Sequence, residues 1–147
     1  MEKTLYFEDL EIGQTVTSAR RTITEADIVT FAGMSGDFNP LHVDEEFAKT
    51  TLFGKRIAHG LLGLSIASGL QAPTPPTLVM AFMGLEWKFT KPIFIGDTIH
   101  YVNTIKSKRE LKEDRGIVIM ERTLLNQNEE TVQKGTFTLL VKRRGAK

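Results

Sequence analysis

The sequence contains no cysteine among its 147 residues. This absence excludes disulfide bonds, thiolate metal sites and a cysteine nucleophile. An excess of charge of one sign is also missing, since 19 lysines and arginines are balanced by 18 aspartates and glutamates. A chain this close to neutrality has no large electrostatic field for nucleic acid or an anionic membrane. We therefore expect neither of these among its partners.

Long hydrophobic runs are missing as well. Residues 1–13 carry several charges and no apolar segment, which is not the pattern of a signal peptide. The apolar stretch at 57–70 is shorter than the roughly 20 residues of an ordinary membrane span. We predict a cytoplasmic protein with one domain over residues 1–147, a length that buries roughly 70% of the surface that the unfolded chain exposes.

The apolar stretch at 57–70 is the segment around which the chain is organised. Its only ionisable residue is His59, so as a helix it would be hydrophobic on all sides and is expected to be buried. A polar turn with Asp37, Asn39 and His42 precedes it. A helix without a polar face needs a sheet that wraps around it.

The second half of the chain supplies that sheet. From residue 78 onward the hydrophobic period changes from 3.6 to 2, and turn signals separate the alternating segments. The predicted strands are 14–22, 78–90, 97–108, 116–126 and 131–143. Short connections favour antiparallel neighbours. The fold class is therefore α+β: a curved antiparallel sheet of four or five strands around one long central buried helix.

Two further helices are predicted before the buried one. Thr24 has the pattern of an N-cap with an acidic residue at the third helical position, so a helix is expected from residue 25 to about 34. Asp44 can cap a short helix over residues 45–49. The predicted core contacts are those of Phe47 and Ala48 on the short helix and of Phe82, Trp87, Phe89 and Phe94 in the sheet.

Asp37 and His42 are the candidate catalytic residues. They are five positions apart across a turn that contains proline, so both side chains can face one cleft. A carboxylate and an imidazole can hold one water and exchange its protons, which is the chemistry of adding water to a double bond or removing it. Asn39 would orient the pair through its amide. The alternative is that Asp37 and Asn39 serve only the turn itself.

Other residues of the region have a candidate role and a plainer one. The amide of Gly60, at the expected helix start, could stabilise an oxyanion, helped by the helix dipole. His59 is interpreted as a helix-start residue whose ring bonds to backbone. Ser68 is interpreted as a packing residue whose hydroxyl bonds to a carbonyl one turn back. His100 is expected at a surface or interface, and the three histidines have no metal-ligand spacing, so no metal is predicted.

The run Ser35-Gly-Asp-Phe-Asn-Pro-Leu-His42, followed after five residues by Ala48, resembles the hydratase-2 motif of the MaoC-like dehydratases. This group includes the (R)-specific enoyl-CoA hydratases. The resemblance continues in the arm at 6–14, in Ala-His-Gly at 58–60, and in the strand and turn at 89–97.

This resemblance implies a hot-dog fold and a homodimer or dimer-based assembly. It implies that Asp37 and His42 are the catalytic water-binding dyad and that the Gly60 amide contacts the thioester oxygen. The implied reaction is the reversible hydration of trans-2-enoyl-CoA to (3R)-hydroxyacyl-CoA, with no cofactor other than the coenzyme A of the substrate. The candidate substrate contacts are Asn39, Lys55, Arg56, His59 and Ser68, with the basic tail at 142–147 as a further candidate for the CoA phosphates.

Three alternatives stay open. The same fold serves acyl-carrier-protein dehydratases and thioesterases, although hot-dog thioesterases generally lack the motif at 37–42. A non-catalytic acyl-CoA-binding regulatory subunit is the third. The sequence departs from the (R)-hydratase pattern at segment 71–77, where a proline-rich stretch replaces the glycine-rich segment that the resemblance implies. We expect it to border the acyl pocket, and branched or carboxylated acyl groups are therefore candidate substrates.

Overall fold

The computed structural model describes residues 3–145, and its largest element is one antiparallel β-sheet. The strands are β1 (Thr15–Thr17), β2 (Arg21–Thr22), β3 (Val79–Phe89), β4 (Thr98–Lys112), β5 (Arg115–Leu125) and β6 (Thr131–Lys142). Their spatial order is β1-β4-β5-β6-β3, with β2 also paired to β4. The curved antiparallel sheet and the α+β class are as predicted.

The helices lie mainly between β2 and β3. They are α1 (Glu25–Ser35), α2 (Pro40–Val43), α3 (Glu45–Lys49) and α4 (Gly60–Gly69), and a 3₁₀ turn covers Phe7–Asp9. The predicted caps are confirmed, because Thr24 accepts from the amide of Asp27 and Asp44 accepts from the amide of Phe47. The one-turn helix α2 was not predicted.

Alternation along β5 explains how the sheet holds α4. Its even-numbered residues are buried and its odd-numbered ones are half-buried, so one face of the strand points to the core. Against the sheet, α4 buries Leu62, Gly63, Ile66 and Ala67. The expectation that α4 is buried on all sides is wrong for the single chain, since Leu61 is 60% exposed. One face of α4 packs on the sheet and the other has no cover among residues 3–145.

The predicted strand at 14–22 is interrupted. β1 ends at Thr17, and the Ala19 amide then bonds to the carbonyl of Gln71 at 2.7 Å instead of to β4. Ser18 takes part in the interruption, because its hydroxyl accepts from the Tyr101 amide at 2.9 Å. Pairing with β4 resumes in β2.

Several predicted core residues are exposed. Phe82 and Phe89 on β3 are 55% and 54% exposed, and Phe47 on α3 is 45% exposed, so these three predictions are wrong for the single chain. The reason on β3 is that it pairs only with β6 and forms one edge of the sheet. Trp87 and Phe94 are partly buried, as is consistent with the prediction for them.

His100 is buried, contrary to the expectation of a surface or interface position. It lies on β4, which is paired on both sides, and its Nε2 is 3.4 Å from Oε2 of Glu129.

Between residues 3 and 145 there is no helix with both the length and the apolar character needed to cross a bilayer.

Candidate active site

Asp37 and His42 approach each other because a short capped turn follows α1. The helix ends at Gly36, whose φ of 79° is in the left-handed region that glycine tolerates. Asp37 Oδ1 then accepts a hydrogen bond from the amide of Asn39 at 3.1 Å. The other carboxylate oxygen, Oδ2, lies 4.0 Å from Nε2 of His42. The two side chains predicted to share a cleft therefore lie side by side.

Asn39 orients His42 indirectly. Because Pro40 follows it, Asn39 takes an extended conformation with ψ 132°, and Pro40 becomes the first residue of α2. The Asn39 side-chain oxygen accepts from the Leu41 amide at 3.0 Å and so caps the helix that carries His42. The predicted orienting role is thus exerted through the helix cap. A direct contact of Asn39 with substrate stays a prediction.

The hydrogen bonds of His42 define its tautomer. Its ring is buried, and Nδ1 lies 2.7 Å from the carbonyl oxygen of Ile57. Since a carbonyl can only accept, Nδ1 carries a proton, and in the neutral ring Nε2 then holds the lone pair that faces Asp37. The side chain of Asp37 is 53% exposed. A neutral imidazole acceptor and a carboxylate about one water apart can together bind a water molecule and remove its proton.

His59 joins the two halves of the site. It is the N-cap of α4, and its Nε2 donates to the backbone carbonyl of Asp37 at 2.9 Å, which agrees with the predicted backbone-bonded ring. Its ring also stacks on that of His42, with centroids 3.8 Å apart, and packs against Phe31 at 4.9 Å. The residue therefore fixes the position of both members of the Asp37–His42 pair. Its other nitrogen, Nδ1, is buried and has no partner among residues 3–145.

Two histidines without metal-ligand spacing in the sequence are brought together with an aspartate in space, while the absence of a metal stays a prediction. One ligand atom from each of Asp37, His42 and His59 lies within 4.8 Å of the others. The fold assembles this group from three elements, which is why sequence spacing did not reveal it. Two of the four ring nitrogens already bond to carbonyls, and tetrahedral zinc with bonds of about 2.1 Å needs ligands closer than 4.8 Å. The grouping as it stands suits proton transfer through water better than ion coordination.

Gly60 is the first residue of α4 and sits next to this group. Its amide belongs to the first turn, where amides have no partner within the helix and carry the positive end of the helix dipole. A side chain here would collide with the sheet, because a Cβ on Gly60 would lie 2.8 Å from Cε1 of Phe89. The close approach of Phe89 thus requires glycine at this position, and the role of its amide as an oxyanion donor stays a prediction.

Gln133 is a contributor that the sequence did not reveal. It is 2% exposed, its Nε2 donates to the carbonyl of Gly60 at 3.0 Å, and its Oε1 accepts from the indole N–H of Trp87 at 3.0 Å. A Cβ on Gly63 would overlap the Gln133 amide, so this second glycine lets the side chain reach the helix. The two glycines near the start of α4 are therefore explained by close contacts. The available signal was a polar residue at a position that the alternating pattern of the strand assigns to the core.

The remaining candidates lie away from the dyad. Ser68 donates to the carbonyl of Ser65 at 2.6 Å, in agreement with the plainer interpretation. It lies eight residues beyond Gly60, about 12 Å along α4, and lines a separate cavity of about 720 Å³. That cavity is bordered by residues of segment 71–77, as predicted for this segment, and not by the dyad.

The basic candidates for phosphate contacts fall into two groups. Arg56 bonds to carboxylates of Glu25 and Glu45 at 2.7 and 2.6 Å, and these partners raise the pKa of its guanidinium. Lys55 is exposed, with its Nζ 4.2 Å from the centroid of the Phe94 ring. In the tail, Arg143 and Arg144 pair with acidic side chains, and Lys147 lies outside the described residues. Lys55 and Lys142 are thus the candidates whose charges are not paired with a carboxylate in the described part of the chain.

Comparison with known proteins places these residues in a family context. The family model described as "MaoC like domain" matches residues 8–126. The chain is 37% identical over 140 residues to the (R)-specific enoyl-CoA hydratase of Rhodospirillum rubrum, with 95% of this chain and 94% of that protein covered. It is 34% identical to the (R)-specific enoyl-CoA hydratase of Aeromonas caviae, covering 82% and 87% of the two chains.

A solved structure shows the same fold. The monoamine oxidase regulatory protein of Archaeoglobus fulgidus is 39% identical and superposes with a TM-score of 0.90, covering 97% of this chain and 98% of that one.

Proposed function

Because the chain belongs to the MaoC-like domain family, we propose that it is a hydro-lyase that reversibly adds water to trans-2-enoyl-CoA thioesters. The product is a (3R)-hydroxyacyl-CoA, and the reverse reaction is a dehydration. The observation that carries this proposal is the pair of Asp37 Oδ2 and His42 Nε2, 4.0 Å apart at the N-terminus of α4. Support for the substrate class comes from the two relatives that are named (R)-specific enoyl-CoA hydratases.

The mechanism follows from the lone pair on His42 Nε2. A water held between His42 and Asp37 loses a proton to the dyad as its oxygen bonds to C3 of the enoyl group. The electron pair of the C2–C3 double bond moves onto the thioester oxygen, where the Gly60 amide stabilises the negative charge. As the enolate collapses, the dyad returns the proton to C2 on the same face. Atoms and charges balance without a cofactor, and coenzyme A is only the carrier of the acyl group.

A homodimer is part of the proposal, with β3 as the pairing strand. β3 is eleven residues long and pairs with β6 on one side only. Its exposed apolar side chains are those of Val79, Met80, Phe82, Met83, Leu85 and Phe89. A long apolar edge strand with an unpaired side tends to associate with another strand. The same strand of a second copy, related by a twofold axis, can pair with it and cover the apolar side chains. Phe89 touches the site at Gly60, so the interface would border the substrate.

A cytoplasmic location stays a prediction.

The test is the loss of enoyl-thioester absorbance when the purified protein is mixed with crotonyl-CoA. We expect rapid hydration to the 3R product, and a kcat lower by about two to four orders of magnitude in Asp37→Asn and in His42→Ala, the range for losing acid–base catalysis. His100→Ala is the matched control, because it removes another buried imidazole far from the turn. Thermal unfolding would be measured on all variants.

Equal losses in His42→Ala and His100→Ala at equal stability would refute the dyad assignment. Tight acyl-CoA binding without turnover, tested also with branched enoyl-CoAs, would favour the second candidate, a regulatory subunit. The name of the similar archaeal structure, a monoamine oxidase regulatory protein, is the observation that keeps this candidate. Release of free coenzyme A would instead indicate a thioesterase.

A further inference from the structure

Arg122 is a charged residue in the core of the sheet. It lies on β5 in phase with the buried Met120 and Leu124, and it is only 7% exposed. Its Nη1 donates to the carbonyl of Ala67 at 2.6 Å, and its Nε donates to Oδ1 of Asn103 at 3.0 Å. These contacts satisfy two sides of the guanidinium but leave Nη2 with only the Met120 sulfur at 4.0 Å.

No carboxylate between residues 3 and 145 pairs with this guanidinium; its partners there are neutral. Aromatic faces flank it instead, with its central carbon 3.8 Å from the Tyr101 ring centroid and 4.7 Å from that of Phe137. Burial lowers the pKa of Arg122, yet an arginine keeps its proton in proteins. The C-terminal end of α4 supplies about half a negative charge at most. Part of a buried positive charge is therefore uncompensated, which is unfavourable unless a partner is present.

The same guanidinium forms part of the wall of the cavity of about 720 Å³. This volume is in the range of small-molecule sites. Polar groups on the wall come from Ser68 and Asn103 and also from Gln14, Gln71, Thr74 and Thr77, and the apolar lining includes Phe82, Phe137 and Leu139. A ligand that matches these walls has an apolar body and one negatively charged group.

We infer that this cavity binds a carboxylate carried on an apolar chain, with Arg122 as its counter-ion. A planar guanidinium is suited to a carboxylate because its N–H donors match the two oxygens. Capping of α4 alone does not account for the residue, since a neutral donor such as glutamine could bond to the Ala67 carbonyl without burying a charge. One such ligand would account for both the buried charge of Arg122 and the cavity beside it.

The carboxylate has two possible sources. It can be the far end of an acyl chain, which rests on the proposed hydratase function, or it can belong to a separate ligand. Ala67 lies seven residues beyond Gly60, about 10 Å along α4. If the acyl chain enters the cavity, this distance along the helix corresponds to roughly eight carbons, at about 1.3 Å per carbon of an extended chain.

The first experiment measures binding without catalysis. Octanoate and the neutral octanol are titrated into the intact protein, and thermal unfolding is followed, because a ligand of the native state raises the Tm. We expect octanoate to raise the Tm and octanol to have little effect. In Arg122→Gln the affinity for octanoate should fall roughly tenfold or more, the effect of losing a charged hydrogen-bond partner. Arg122→Lys keeps the charge and should lose less.

The matched control is Arg115→Gln, which removes the same charge from the same strand. Arg115 is half-buried and pairs with Asp114, so octanoate binding should be unchanged. Equal binding of octanol and octanoate to the wild-type protein, or no binding of either, would overturn the inference even if Arg122→Gln failed to fold. Equal effects of Arg115→Gln and Arg122→Gln would also overturn it.

The second experiment identifies the source of the carboxylate. Hydration of trans-2-octenoyl-CoA is compared with hydration of the mono-CoA thioester of trans-2-octenedioic acid. A roughly tenfold preference in kcat/KM for the carboxylated thioester, lost in Arg122→Gln, assigns the cavity to the acyl chain. Octanoate binding without that preference assigns it to a separate carboxylate. Failure of crotonyl-CoA, of the branched enoyl-CoAs and of both octenoyl thioesters to be hydrated would reject the proposed function and leave the binding result intact.

Discussion

The two ends of helix α4 are built for opposite charges. At the N-terminal end the Gly60 amide belongs to the first turn, and two imidazoles and one carboxylate lie beside that end of the helix. At the C-terminal end two backbone carbonyls already accept from side chains of the sheet, because Arg122 Nη1 donates to Ala67 and the Tyr101 hydroxyl donates to Leu70 at 3.1 Å. One end offers free donors to a ligand, and the other is closed by side chains of the sheet.

The helix dipole explains why this division is favourable. Its positive N-terminal end stabilises a developing negative charge, and its negative C-terminal end stabilises a cation. The dyad and the proposed oxyanion lie at the first end, and the buried guanidinium lies at the second. A single helix can thus support two binding functions if its termini receive different partners. Substitutions of Gly60, His59 and Lys55 test the roles assigned to the N-terminal end and its surroundings.

Gly60→Ala should impair hydration by disturbing the N-terminal end of α4. The new Cβ would lie 2.8 Å from Phe89 Cε1, so the ring or the start of α4 has to move. We expect kcat/KM for crotonyl-CoA to fall about tenfold to a hundredfold, the effect of a displacement of order 1 Å in an active site.

The control for that change is Gly69→Ala at the other end of the same helix. A Cβ there meets nothing within 4 Å, so hydration should be almost unchanged. Steady-state kinetics and thermal unfolding of both variants make the measurement. If Gly69→Ala costs as much activity as Gly60→Ala, the amide at residue 60 is not what matters.

His59 is the second residue to test at the N-terminal end of α4, because it connects the dyad to that end of the helix. His59→Leu removes the donor to the Asp37 carbonyl and the stack on His42. We expect kcat to fall about tenfold with little change in KM, because a positioning residue acts on the reacting geometry. His59→Gln keeps an amide donor of similar reach and should recover part of the loss. Equal kcat values for the Leu and Gln variants would mean that the hydrogen bond has no positioning role.

Sequence alone predicted the strands well. Turn signals and period-2 alternation placed strands at 78–90, 116–126 and 131–143, within one residue at each end of β3, β5 and β6. β4 runs on to Lys112 because the hairpin to Arg115 needs only two residues. Local patterns suffice where neighbouring strands in sequence are neighbours in space.

What the sequence could not predict is which apolar faces the chain covers by itself. The aromatic residues of β3 are of the same types as core residues, yet Phe82 and Phe89 are exposed because β3 is at an edge of the sheet. The same holds for Leu61 on α4. An apolar pattern predicts burial but does not say whether the cover comes from the same chain or from a second copy.

The site was predictable to the extent that it is local. Asp37 and His42 are close in sequence, and their turn could be recognised. The contacts of Gln133 with Gly60 and of Arg122 with Ala67 span 73 and 55 residues and could not. Arg122 did carry a signal, because it stands in phase with Val118 and Met120 on the buried face of β5.

The smallest expected effect is on the coenzyme A carrier, outside both ends of α4. Lys55 is exposed near the start of the helix, and its ammonium is a candidate contact for the CoA phosphates. Lys55→Ala should raise KM for crotonyl-CoA a few-fold at low salt with kcat unchanged, since exposed ionic contacts contribute about 1 kcal/mol or less and are screened by salt. Lys49→Ala, which removes a lysine paired with Glu46, is the control. A KM that is unchanged, or that rises equally in both variants, would remove Lys55 from the carrier site and restrict recognition to the acyl thioester.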